Sequence, residues 1–179
     1  MTVLDWVPVA GAEHLLATPV VAALHTQQAW TARVQVAAID PAWADTATLV
    51  EHSDVTPEES ANCILVIGRR GGVERVAAVV VLATTRADVN TAVRKRLDVR
   101  KATFLSTERA VSESGMEYGG ITPLGLPAEW PVLVDARVVQ QPRVVIGSGL
   151  RTSKLAMPGG DLAYVPGVEV VEGLARPLG

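Results

Sequence analysis

The chain has 179 residues, 49% apolar and 20% charged, with a net charge of −3. That length predicts one compact domain rather than two full-sized ones, and the composition is far from that of disordered or fibrous chains. Aromatic residues are only 4%, which leaves little for a base-stacking sheet of the RNA-recognition kind, and the acidic balance disfavours nonspecific nucleic-acid binding by the whole surface.

In chain order, apolar residues at three- and four-residue spacing predict a helix over His14 to Gln28 despite Pro19. Arg33 to Ile39 predicts a strand that Pro41 ends, and Asp45 to His52 an amphipathic turn or helix. Thr56-Pro57-Glu58-Glu59 carries a cap, a proline at the first helical position and acids in the first turn, and predicts a short helix. Asn62 to Ile67 and Val73 to Thr85 are rich in β-branched residues and flank Arg70-Gly71-Gly72, the clearest hairpin signal in the chain. Asp88 to Leu97 predicts a helix with Asp88 as N-cap and bases in its last turn. A short strand follows at Thr103 to Leu105, and a helix from Thr107 ends at Gly115. A glycine- and proline-rich loop covers Gly115 to Pro127. Val132 to Val134, Val144 to Ile146 and Val168 to Val171 predict further strands.

Charge is unevenly spread. From Val34 to Gly68 there are six acids and no Lys or Arg, whereas Arg86 to Lys101 carries six bases against Asp88 and Asp98. The basic run suits either a polyanion or an ordinary solvated helix face. The single cysteine, Cys63, makes no internal disulfide, and no Cys/His cluster has zinc spacing. Neither a secretory signal nor an apolar run of bilayer-spanning length is present, so a soluble, cytoplasmic protein without a membrane partner is expected.

Familiar catalytic patterns are missing. His14, His25 and His52 all lie in the first third without a G-x-S-x-G elbow, and Cys63 sits in an apolar strand, where a thiol packs as a small hydrophobe. Gly147-Ser148-Gly149 lacks the third glycine of a dinucleotide fingerprint, and Arg69-Arg70-Gly71-Gly72 lacks the ending of a P-loop. The most informative segment is Gly115 to Gly125, with four glycines and one proline in eleven residues. Such a loop either aims backbone N–H groups at a carbonyl or developing oxyanion, or tightly joins a helix to a strand.

Read with its surroundings, this loop resembles the YbaK/ProX family, aminoacyl-tRNA deacylases related to the editing domain of bacterial prolyl-tRNA synthetases. The resemblance rests on GMEYGGITPLGLP (Gly115 to Pro127), WPVLVDARV (Trp130 to Val138) and VVIGSGLRTSKLAMPGGDLA (Val144 to Ala163). It is clearest over residues 56–175, with 1–55 divergent. It implies one domain over 1–179 of α/β (α+β) class, a mixed, curved, barrel-like sheet with flanking helices. It further implies hydrolysis in trans of the ester joining a wrong amino acid to tRNA, without a cofactor or metal. Gly119, Gly120, Ile121, Thr122 and Pro123 would form the catalytic loop, all but the proline offering amides. Asn62, Gly147, Ser148 and Gly149 would bind substrate. Asp135 would either recognise an amino group or serve as a structural turn aspartate. Arg94, Lys95, Arg96, Lys101 and Lys154 would contact tRNA.

One departure stands out. The family pattern has a lysine at the start of the strand after the capped helix, where this chain has Asn62-Cys63-Ile64-Leu65-Val66. Asparagine hydrogen-bonds but carries no charge. Arg69, Arg94, Lys101 and Lys154 are the candidates to replace it. If none does, the chain is expected to be a noncatalytic aminoacyl-tRNA or aminoacyl-adenosine binding module. A third expectation is an interaction protein of an aminoacyl-tRNA synthetase. DNA is not an expected partner.

Overall fold

Gly71 and Gly72 both take positive φ (58° and 80°), the backbone that a two-residue hairpin turn requires and that side chains resist. Around them the longest hairpin forms, in continuous register from Ala61↔Leu82 to Arg70↔Val73. The computed structural model describes residues 1–26 and 28–178. Gln27, inside the expected first helix, and Gly179 lie outside the described residues.

The elements are β1 (Val7–Pro8), α1 (Thr18–Thr26), α2 (Gln28–Thr31), β2 (Gln35–Ala38), α3 (Thr46–His52), β3 (Ala61–Arg70), β4 (Val73–Leu82), β5 (Thr85–Ala87), α4 (Arg94–Leu97), β6 (Ala102–Phe104), α5 (Thr107–Ser114), β7 (Val132–Asp135), α6 (Ala136–Val139), β8 (Val144–Gly147), β9 (Ser153–Met157), β10 (Val168–Val171) and β11 (Ala175–Pro177). Pro19 is tolerated because it falls in the first turn of α1, where an N–H has no intrahelical partner. The predicted Asp88 cap accepts from the Thr91 amide, and a π turn over Val89–Val93 leads into α4. Ser106 caps α5, and Gly115 ends it in the left-handed region at φ 68°.

Three sheets result among the described residues. One has the order β10-β7-β4-β3-β6, the second β1-β2-β9-β8, and β11 pairs with β5 in the third. β4 runs parallel to β7 and antiparallel to β3, so its apolar residues are buried on both faces. Val76, Ala78, Val80 and Leu82 join the main core, whereas Ala77, Val79 and Val81 join a second cluster with Val93, Leu97 and Leu174. This double burial explains the unbroken apolar run in its sequence.

The expected mixed α/β class with flanking helices is observed, and among the described residues the sheets form no closed barrel. One expectation is corrected. The residues Thr56 to Glu59 make a single capped turn rather than a helix: the Thr56 amide donates to Glu59 Oε1 at 2.9 Å and the Glu59 amide to Thr56 Oγ1 at 3.4 Å. This is the reciprocal bonding of a capping box, but Ser60 and Ala61 then enter β structure and nothing propagates the turn. Strand β9, which the sequence pattern does not predict, lies inside the second sheet between β2 and β8.

Candidate functional site

The two larger sheets meet where β3 begins. Ser60 bridges to Val145 in parallel, and the Val145 amide donates to the Glu59 carbonyl at 2.7 Å. At this junction a cavity of about 640 Å³ opens, walled by the start of β3, residues of β8 and β9, the segment Ala44 to Ala47, and Tyr118, Gly119 and Ile121 of the glycine loop. That size is within the range of ordinary small-molecule sites.

Glycines allow the loop to lie against β8. A Cβ added at Gly147 would stand 2.3 Å from the Gly120 carbonyl oxygen, and one at Gly120 would stand 2.5 Å from the Leu150 carbonyl oxygen. The Gly149 amide donates to the Gly120 carbonyl at 2.7 Å, and the Glu117 amide to the Gly149 carbonyl at 2.8 Å. Arg151 fastens the rim: its guanidinium donates to the carbonyls of Tyr118 and Pro41, each at 3.0 Å, while its amide donates to Glu117 Oε2 at 2.7 Å.

Of the expected catalytic loop, Gly119 and Ile121 line the cavity. The Gly120 amide donates to the Glu117 carbonyl at 2.9 Å, inside the loop. Thr122 is fully buried and Pro123 faces a separate apolar pocket of about 180 Å³ with Trp30 and Trp130. Among the expected substrate-binding residues, Asn62 and Gly147 line the main cavity. Ser148 is buried in the following turn, its Oγ 2.7 Å from Ser153 Oγ, and Gly149 packs against Ala17 and Val20. Asp135 lies elsewhere. Its Oδ1 accepts from the Arg137 amide at 3.0 Å, capping α6, and its Oδ2 accepts from the Ala175 amide at 2.9 Å, tying β11 to the end of β7. Of the two roles open to it, this placement has the structural one.

The bases separate in the same way. Arg94, Lys95 and Lys101 are exposed and outside the cavity, and Arg96 pairs with Glu169. Arg69 pairs with Glu74 at 2.8 Å. Lys154 is different, being only 6% exposed. It lines the cavity from β9, its Nζ donating to the Ala44 carbonyl at 2.6 Å and facing the Gly119 carbonyl at 3.5 Å. Lys154, expected among the tRNA-contacting bases, is thus set apart from the exposed ones, and only a group that enters the cavity can meet it. Burial pulls its pKa down to about 8, with Asp45 opposing that shift and Arg151 reinforcing it.

Asp45, Thr46 and Tyr118 are cavity residues that the sequence pattern did not single out as site residues. Asp45 caps α3, and hydrogen bonds from Thr48 hold its carboxyl below the usual range. Thr46 Oγ1 donates to Asn62 Oδ1 at 2.5 Å, orienting the amide at the position where the family pattern has lysine. The capping pattern at Asp45 was the available signal for this wall. Cys63 also borders the cavity, and burial pushes its thiol up to about 12, so it stays neutral. The Ser60 hydroxyl donates to the Thr56 carbonyl at 2.9 Å. Among these groups none is a nucleophile paired with a base.

No curated protein matches the chain. Its fold matches a candidate trans-editing enzyme for prolyl-tRNA synthetase at a TM-score of 0.72, with 16% identity over 86% of this chain and 93% of that one. A scaffold protein used for epitope grafting matches at a TM-score of 0.73, with 16% identity over 87% of this chain and 95% of that one. A hypothetical protein of known structure matches at 0.65, with 20% identity over 74% and 85% of the two chains. The profile of the aminoacyl-tRNA editing domain matches residues 40–164. That range is more than half of the chain and holds every residue lining the cavity, and the protein therefore belongs to the aminoacyl-tRNA editing domain family.

Proposed function

We propose that this protein is a deacylase acting in trans, hydrolysing the ester between an amino acid and the terminal adenosine of a mischarged tRNA. The carrying observation is the cavity itself: within the family-matched segment, about 640 Å³ is walled by the glycine loop, apolar side chains, the Asn62 amide and the charged groups of Asp45, Arg151 and the buried Lys154, without an activated nucleophile. An aminoacyl ester needs none. Its carbonyl is already reactive, and holding it beside a water and the neighbouring ribose hydroxyl converts a bimolecular encounter into a positioned one. In that role Gly119 and Ile121 flank the acyl group from the loop side, Asn62 faces it from β3, and Gly147 leaves room on the β8 side. Water is the attacking group, the new C–O bond forms at the acyl carbon, and the ribose oxygen leaves with a proton to give free amino acid and tRNA.

The test is a panel of separately charged tRNAs incubated with wild type and with Ile121→Trp, which places a large ring on the cavity wall. Release of amino acid from at least one tRNA, lost in Ile121→Trp, is the expected result. Tight binding of a charged tRNA with no release by wild type would instead establish a binding module, the reading that the neutral Asn62 favours.

A further inference from the structure

We propose that Lys154 is the substrate-facing cation of this site, brought in on β9 to meet an anionic oxygen of the bound aminoacyl nucleotide, in place of a charge on β3. The inference rests on the deacylase reading and adds to it the residue that carries positive charge to the ligand.

Three observations support it. Lys154 and Asn62 line one cavity from different sheets, so a charge at either position acts on the same volume. Lys154 is at an interior strand position where solvent-seeking lysine is out of place; all five residues of β9 are buried. Its two carbonyl partners take two of the three ammonium protons and leave one for a ligand. The competing bases are accounted for: Arg69 is paired, Arg94 and Lys101 lie outside the cavity, and Arg151, which lines it, directs its guanidinium to the Tyr118 and Pro41 carbonyls.

The titratable or charged groups sharing the lining are Asp45 ahead of α3, Cys63 on β3, Tyr118 in the loop and Arg151 after β8. Asp45 favours the protonated amine and Arg151 opposes it, leaving Lys154 mostly charged at neutral pH and neutral well above pH 8. An anionic ligand oxygen would raise its pKa and accept a charge-assisted hydrogen bond, the stronger kind.

The position of the charge makes a specific epistasis pattern. At pH 7, Lys154→Met is expected to lower deacylation kcat/KM on the order of a hundredfold, the loss typical of removing one directed donor. Asn62→Lys alone is expected to reduce activity, because two ammonium groups then share the cavity. Asn62→Lys combined with Lys154→Met is expected to recover at least tenfold over Lys154→Met. Wild-type kcat/KM is expected to fall above about pH 8, as Lys154 loses its proton. An aminoacyl-adenosine without phosphate separates the two sources of the anionic oxygen: equal loss on this substrate assigns the developing oxyanion, and loss on tRNA alone assigns a phosphate.

Full activity of Lys154→Met on a tRNA that wild type deacylates would overturn the proposal and leave the deacylase reading standing, as would an Asn62→Lys gain of equal size in both backgrounds. If wild type deacylates nothing, the deacylase reading falls, and Lys154 is decided by an NMR titration of its ε-carbon with adenosine 5′-monophosphate. An upward move of its titration, with nucleotide binding lost in Lys154→Met, supports an anion-binding ammonium; an unmoved titration overturns it.

Discussion

At the residue scale, two positions in sequence motifs are structural, and their substitutions separate stability from activity. Thr122 is fully buried, and its Oγ1 is one of two buried side-chain polar atoms without a hydrogen-bond partner among the described residues. Thr122→Val removes that hydroxyl at nearly constant shape. It is expected to stabilise the fold by about 1 kcal/mol, a rise of roughly 2–4 °C in Tm by calorimetry. Deacylation should persist, since Thr122 does not line the cavity. Asp135→Ala acts in the opposite direction. It leaves the buried Ala175 amide and the start of α6 without their acceptor, at an expected cost of about 2–3 kcal/mol in urea unfolding, with KM unchanged. A structural turn role for Asp135 was one of the two readings open in the sequence, whereas the short helix α6 that it caps was not predicted. The second Asp135 bond, to a residue forty positions later, is set by the packing of β11.

At the element scale, local chemistry was readable wherever it decided the conformation. Gly71-Gly72 is the plainest case, since both positions need φ above zero. Gly72→Val is expected to cost about 1–2 kcal/mol of stability by denaturant titration, because a β-branched residue resists the left-handed region. The cap at Thr56 was also legible, the structure adding the reciprocal bond to Glu59, but a cap cannot extend a helix into residues that pair as β structure. Strand β9 was missed for a related reason. Its residues, Ser-Lys-Leu-Ala-Met, have no alternation because the strand is interior and buried throughout. The exposed bases of α4 remain candidates for tRNA phosphate binding. If Arg94 and Lys95 provide it, the double alanine variant should flatten the salt dependence of tRNA binding by about 0.7–0.9 in log–log slope for each phosphate no longer neutralised. An unchanged slope assigns these bases to the solvated face of α4.

At the scale of the whole molecule, the cavity exists because two sheets meet at the Ser60–Val145 bridge and the glycine loop closes over β8. Burying Lys154 there has a stability signature. Its folded pKa is about 8 against 10.5 for the free side chain, so between these values the unfolded chain binds the additional proton. Stability from this group therefore rises as pH increases from about 8 to about 10.5, and the penalty is fully present below pH 8. In urea titrations, the stability of Lys154→Met relative to wild type should be greatest near neutrality and decline across that window. A difference independent of pH would show that the ammonium is not desolvated.

The sequence by itself determined the hairpin, the caps, the glycine loop and the family resemblance, because turn geometry, capping and close backbone approach are set by residues adjacent in the chain. Only the tertiary structure decided which of those residues share a cavity. It also decided that Lys154, rather than Arg69, Arg94 or Lys101, shares a cavity with Asn62. Side-chain burial and electrostatic proximity come from the meeting of two sheets, whose strands are remote in sequence and whose packing no local pattern specifies.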